Sequence, residues 1–289
     1  MRRSAFFCLL LATAVLAAQT PAPPDPSTQL VWVCPMDKDI RSLEAGKCPR
    51  CGMKLSTDVP DPAEYHMTVT VTPRAPQVQK PARLVFEVHD PWKNNRVTKF
   101  TVMHEKLFHA FIVSEDLEYF VHDHPVWKEN AFHYETSFPK SGMYRILGDF
   151  FPEAATPQLI AKTVIVPGTP PPAPQLKKDY SLKDGANLKV ELATVPPEPI
   201  AGQNTQLRFQ LSTAEGLEKY LGAWGHLLAA SDDLIDMAHT HPFIADGSEQ
   251  IQFNMTFPRA RAYRVWVQFQ RNGVVNTVHF DVPVKELGL

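Results

Sequence analysis

Cysteine is scarce in this chain, and its distribution excludes more than its number. There are four in 289 residues; Cys8 lies near the start, and Cys34, Cys48 and Cys51 fall between Val33 and Leu55. None follows Cys51. A blue-copper electron-transfer centre needs a cysteine beside two histidines, so everything beyond that point is excluded from the role. An excess of positive charge is also lacking: 29 Lys and Arg against 31 Asp and Glu give a formal net charge of -2, with no basic field to hold nucleic acid. There is no glycine-rich phosphate loop, no Gly-x-Ser-x-Gly elbow and no His-Glu-x-x-His helix. No helical or heptad period is sustained, and after the N-terminus no run is apolar enough to span a membrane, which takes about 20 residues. The expectation is a protein that is not an enzyme.

What is present begins with Met1-Arg2-Arg3, followed by an almost wholly apolar stretch from Ser4 to Ala18. Two positive charges, a short apolar core and small residues at Ala17 and Ala18 read as a secretory signal peptide over residues 1–18. The mature protein is therefore expected in a periplasm or outside the cell. Three remaining cysteines cannot all pair in an oxidising compartment, so a metal holds them or one is left free. A Cys48–Cys51 redox disulfide is the competing reading, but no strand–helix pattern of a thioredoxin surrounds it.

Cys48-Pro49-Arg50-Cys51-Gly52 has the form of a knuckle that aims two thiolates at one point. Cys34-Pro35-Met36-Asp37 repeats the spacing with a carboxylate in the second position. Two such turns face to face would offer three sulfurs and one oxygen, from Cys34, Cys48, Cys51 and Asp37, to a tetrahedral divalent ion. Met36 and Met53 flank the cysteines, as thioether ligands or as apolar cover. Cys-Pro-Met, a gap, then Gly-Lys-Cys-Pro-x-Cys-Gly-Met resembles the heavy-metal-binding domain. That module is found at the ends of copper- and silver-efflux adaptors and in some metal-transporting ATPases. Asp37 and Lys38 stand where the family usually has His and Pro. The resemblance implies a transition metal, zinc or copper, although a carboxylate suits soft Cu(I) poorly. Efflux adaptors also need a long helical hairpin that this chain lacks, so the likeness stops at the cysteine module.

Proline-rich breaks divide the rest. Residues 19–30 read as an extended tether, 31–56 as the cysteine module, and 168–178, with its run of prolines, as a stiff spacer. They leave blocks at 64–167 and 179–285. Both blocks consist of short β-branched and aromatic segments separated by Pro, Gly and Asn. Clean alternation, as in Leu207, Phe209 and Leu211 against Gln206, Arg208 and Gln210, marks half-buried strands. The fold class is mainly β: a small zinc-ribbon-like module followed by two tandem β-sandwiches, immunoglobulin-like or cupredoxin-like.

The two blocks are copies. HAFIVSEDLEYFVHDHP, His109 to Pro125, matches HLLAASDDLIDMAHTHP, His226 to Pro242, with histidine, Ser-acidic-Asp-Leu and His-x-His-Pro at identical spacing. Phe138-Pro139, Tyr144-Arg145 and Phe150 continue the match at Phe257-Pro258, Tyr263-Arg264 and Phe269, which a duplication explains. His109, His122 and His124 thus correspond to His226, His239 and His241. In an extended segment residues two apart point the same way, so each His-x-His presents two imidazoles to one side. A third from a neighbouring strand completes a copper- or zinc-type set. Structural histidines in turns are the alternative, since duplication copies both kinds. Met103 and His104 add possible auxiliary ligands in the first block only, with Leu221 matching His104. His66, His89, His133 and His279 lack repeat partners and read as ordinary strand residues. Asp116 and Asp233 read as turn caps.

The expected function is sequestration or delivery of copper or zinc in the cell envelope, with metal ions as partners and an efflux or delivery protein as a further one. A surface interaction protein built of sandwiches is the other reading.

Overall fold

The structure is a computed structural model, which describes residues 30–58 and 62–288. The expected signal peptide and nearly all of the tether lie outside the described residues. Among those described there is no helix, and therefore none long and apolar enough to cross a membrane.

The cysteine module is a three-stranded antiparallel sheet. Its strands are β1 (Val31–Val33), β2 (Arg41–Ser42) and β3 (Ser56–Asp58), in the order β2-β1-β3. The first sandwich contains β4 (His66–Thr72), β5 (Pro81–His89), β6 (Phe108–Ser114), β7 (Phe120–Asp123), β8 (Val126–Lys128), β9 (Ala131–Ser137), β10 (Gly142–Phe150) and β11 (Gln158–Val166). They form the sheets β4-β5-β9-β8 and β11-β10-β6-β7. The second contains β12 (Lys183–Asp184), β13 (Lys189–Val195), β14 (Asn204–Leu211), β15 (Leu217–Glu218), β16 (His226–Ser231), β17 (Met237–Thr240), β18 (Gln250–Thr256), β19 (Ala262–Arg271) and β20 (Val274–Pro283). Its sheets are β12-β13-β14-β18 and β20-β19-β16-β17, with β15 continuing along the β19 edge. Each domain is a pair of packed antiparallel sheets, the β-sandwich expected from the sequence.

Most strands obey the expected alternation. In β5, Ala82, Leu84, Phe86 and Val88 face the first core while the residues between them point outward; β13 and β14 do the same in the second. β6 and β16 do not alternate: every residue is buried. Phe108, Ala110 and Ile112 belong to the first core, and Leu227 and Ala229 to the second. Their other faces, Phe111 and Val113 against Leu228 and Ala230, join Leu117, Leu147, Leu234 and Trp266 in a third core between the sandwiches. Phe120 stacks on Trp266 across it, with ring centroids 5.0 Å apart and planes 10° from parallel. The sandwiches are packed back to back through β6 and β10 on one side and β16 and β19 on the other. A strand covered on both faces reads as a continuous apolar run, as HAFIVS and HLLAAS do. Arg264 ties the edge of this interface: it donates to the Leu117 carbonyl at 3.0 Å and to Glu118 at 2.7 Å, while Asp281 holds its other nitrogens.

The cysteine module is seated on the first sandwich. Val31 and Val33 pack on Ala154, Arg41 donates to the Ala154 carbonyl at 3.1 Å, and its guanidinium lies 4.6 Å over the Trp92 ring. A sheet this small has little core of its own, so burying it against a neighbour supplies apolar area it cannot make internally. The proline-rich stretch makes contacts of its own. Leu176 packs on the core between the sandwiches, and the Thr169 carbonyl accepts from Ser141 Oγ.

Candidate metal centres

The structure brings together all ten predicted ligands, in three groups. Within each group one ligand atom per residue lies within 4.8 Å of the others. The first is Cys34, Asp37, Cys48 and Cys51. Both turns of this module close as knuckles: the Asp37 N–H donates to Cys34 Sγ at 3.3 Å, and the Cys51 N–H donates to Cys48 Sγ at 3.4 Å. Gly52 follows at φ +74, a conformation costly for any residue with a Cβ. Cys34 Sγ and Cys51 Sγ are 3.5 Å apart, and all three cysteines are free thiols.

Burial works to raise the Cys48 thiol, but the N–H groups of Cys51 and Arg50 outweigh it and hold the thiol below its usual value. The Met53 N–H works to lower Cys51, yet burial and the neighbouring sulfurs push it up to about 11. A cation held among the three sulfurs would favour the thiolate at every one of them. Asp37 accepts from Lys93 and, at 2.8 Å, from Arg50; these bring its carboxyl down to about 2. Lys93 belongs to the first sandwich, so the docked module borrows one of its charges. Met36 and Met53 are exposed and cover no core.

The second and third groups are His109, His122 and His124, and His226, His239 and His241. β6 supplies His109, and the hairpin strand β7 with the residue just beyond it supplies the other two; β16 and β17 repeat this. The surrounding hydrogen bonds fix the tautomers. His109 Nε2 lies 3.0 Å from the Met103 carbonyl and His122 Nδ1 lies 2.7 Å from Gln268 Oε1. Gln268 Nε2 is spent on Thr277, which leaves its oxygen toward the ring. Both oxygens can only accept, so both of those ring nitrogens carry the proton. The remaining nitrogens, His109 Nδ1 and His122 Nε2, are then lone pairs that face each other at 3.1 Å, with His124 Nε2 3.2 Å from the same atom.

The third group has the same construction. His226 Nε2 donates to the Tyr220 carbonyl at 2.8 Å, His239 Nδ1 meets Asp149 Oδ2 at 2.5 Å, and His241 Nε2 lies 3.0 Å from His226 Nδ1. His239 Nε2 is buried with no partner. Burial favours the neutral form of five of these rings. It takes His109 and His124 down to about 4 and His226 to about 2, and it lowers His122 and His241 as well. In His109, His122, His226 and His239 an oxygen holds one ring nitrogen and leaves the other facing its group, the arrangement in which histidine ligates a metal.

Asp149 and Gln268 escaped sequence reasoning, although the signal was available. They occupy the same position in the two copies, one residue before the matched Phe150 and Phe269, and each is polar beside buried apolar residues. Each sits beside its own copy's histidine in the ladder, Asp149 opposite His109 and Gln268 opposite His226. Each then hydrogen-bonds a histidine of the other sandwich. His104 also crosses over: it stacks on His241 with ring centroids 3.6 Å apart and does not join the first group. The Met103 side chain lines a cavity beside the histidines, and its carbonyl rather than its sulfur touches His109. Asp116 and Asp233 cap their turns as expected, accepting from Ser114 Oγ at 2.5 Å and Ser231 Oγ at 2.6 Å.

The chain belongs to a family described as a domain of unknown function (DUF8832), which matches twice, over residues 58–167 and 182–286. A heavy metal binding domain precedes the two repeats, at residues 31–56. No curated protein matches the chain. Among solved structures it is similar to the fibronectin(III)-like modules of Clostridium thermocellum CbhA, at 9% identity over 76% of this chain and 95% of that one, with a TM-score of 0.22. It is also similar to the Yersinia pseudotuberculosis adhesin InvE, at 12% identity over 76% and 60% with a TM-score of 0.21. A carbohydrate-binding module of the β-sandwich superfamily gives 12% identity over 79% and 95%, with a TM-score of 0.23. The chain therefore has a heavy-metal-binding module, two β-sandwich repeats, and residue clusters suited to a transition metal.

Proposed function

We propose that this chain is an exported, non-catalytic carrier of copper or zinc, which takes up the ion at the cysteine module and holds it at the histidines for delivery or sequestration. The observation that carries this reading is the contact between His109 Nδ1 and His122 Nε2. Two imidazole lone pairs at 3.1 Å repel each other, and a cation between them turns that repulsion into ligation. The cysteine module supports a divalent ion. Three thiolates and the Asp37 carboxylate around a dication leave two negative charges, and Arg50 and Lys93, which contact that carboxylate and Asp39 as well, offset part of that charge. The signal-like N-terminus supports export, where an efflux or delivery protein would be the recipient.

Metal analysis after purification under reducing conditions tests the reading, comparing the parent protein with Cys48→Ser and with His122→Ala/His124→Ala. Content should fall in each variant. The same content in all three would remove the proposal.

A further inference from the structure

The two histidine groups do not sit apart in their own sandwiches. Within a group the ring centroids are 4.6–5.8 Å apart. Between groups, His122 is 5.4 Å from His226 and 5.9 Å from His239, and His109 is 6.0 Å from His239 and 6.2 Å from His226. The six rings are one continuous cluster. A cavity of about 250 Å³ opens onto both groups, lined by Met103, His104, His109 and Asp149 of the first sandwich with His239 and His241 of the second. His239 has a side chain only 2% exposed, and its Nε2 has no partner.

The support is crosswise as well: Gln268 of the second sandwich orients His122 of the first, and Asp149 of the first orients His239 of the second. Neither group has its supporting hydrogen bonds complete within one domain. This reciprocity couples the orientation of the two groups across the interface, as a shared centre would use it.

We propose that the two three-histidine groups form one dinuclear transition-metal centre between the sandwiches, reached through the shared cavity. This rests on the reading that the histidines bind metal. His109 Nδ1, His122 Nε2 and His124 Nε2 hold one ion, and His226 Nδ1, His239 Nε2 and His241 Nε2 hold the other. Because the two sandwiches each supply ligands and orient the other's, loading also clamps the domains together.

Copper(II) reports the pairing directly, because neighbouring Cu(II) spins couple and separated ones do not. The full chain carrying Cys34→Ser, Cys48→Ser and Cys51→Ser, which keeps thiols from reducing the probe, is loaded with Cu(II), desalted, and measured for bound copper and by electron paramagnetic resonance. The expected result is two coppers per chain with a dipolar-broadened spectrum and a half-field transition. His109→Ala/His124→Ala and His226→Ala/His241→Ala, each checked for folding by circular dichroism, should each retain one copper with an isolated-spin spectrum.

Two coppers with simply additive isolated signals, or one copper per chain before any histidine is changed, would overturn the dinuclear centre and leave metal binding intact. No retained copper would overturn binding by the histidines itself. The measurement before histidine substitution decides between these outcomes even if a histidine variant fails to fold.

Discussion

The two sandwiches carry the same three histidines at the same ladder positions, yet their surroundings differ in kind. The histidine oriented by the first sandwich, His239, meets the carboxylate of Asp149. The histidine oriented by the second, His122, meets the amide of Gln268. His104 and Leu221 occupy equivalent left-handed positions, with φ +46 and +49, but the histidine alone reaches across to stack on the other copy's ring. Arg145 stays at home on Thr163, while its counterpart Arg264 crosses to Leu117 and Glu118. Duplication supplied two equal ligand sets, and the interface made them unequal. A carboxylate behind an imidazole raises its basicity more than an amide does, so on the proposed reading the third group would be the stronger donor to a divalent ion.

Breaking the shared interface should have the largest effect. Phe111→Ala removes a fully buried ring that stacks on His122 at 4.3 Å and lies 4.7 Å from His239. It should cost about 3–5 kcal/mol by urea unfolding and weaken metal retention in both groups together. A loss confined to the His109 group would argue against a common centre. Asp149→Asn comes next. Although it lies in the first sandwich, it should weaken metal binding at His226, His239 and His241 by about 10–100-fold, while Gln268→Glu should strengthen the opposite group. Competition titrations with a chromophoric chelator measure both, and an Asp149→Asn loss located at the His109 group would contradict the crosswise assignment.

His104→Leu makes the first copy like the second at a position whose backbone already accepts leucine in the other copy. It should fold normally and lose a stacking contact of about 0.5–1.5 kcal/mol together with a hydrogen bond to the Leu221 backbone, visible in the melting of the metal-free protein. An unchanged melt would show that the stack contributes nothing.

The smallest effect separates the copies by acid. Asp233 is held below the ordinary carboxyl range first by Arg259, which grips both of its oxygens. Asp116 is buried, which works to raise it, but Lys140 and Ser114 bring it below that range. Both carboxyls are depressed on folding, so their stabilisation is complete above the unfolded value of about 3.9 and drains as pH falls through the folded values. Asp233→Asn should flatten the acid limb of stability more than Asp116→Asn, because Arg259 makes the stronger pairing. Equal flattening in pH-dependent thermal melts would mean that the arginine adds nothing over the lysine.

How much could be read in advance followed from how local each feature is. Knuckle spacing, the β-alternation of Leu207, Phe209 and Leu211, and the turn caps at Asp116 and Asp233 depend on residues a few positions apart, so they were legible. The matched histidines were legible because a duplication preserves spacing. The pairing of the copies was visible only as an irregularity: HAFIVS and HLLAAS fail to alternate, which fits a strand covered on both faces but equally fits other buried runs. The docking of the cysteine module could not be read, because it depends on Ala154, Trp92 and Lys93, all far along the chain from Val31 and Arg41.

The sequence by itself determined the candidate ligands: which sulfurs, which carboxylate, which six imidazoles, and that they come in a module and two copies. Side-chain chemistry and short-range geometry suffice for that. The tertiary structure alone decided that the two histidine sets share one cavity, that Asp149 and Gln268 serve the opposite sandwich, and that Lys93 balances Asp37. Those contacts join residues 56 to 146 positions apart. Such pairings come from the burial of two apolar sheet faces against each other, and no local pattern encodes which face meets which.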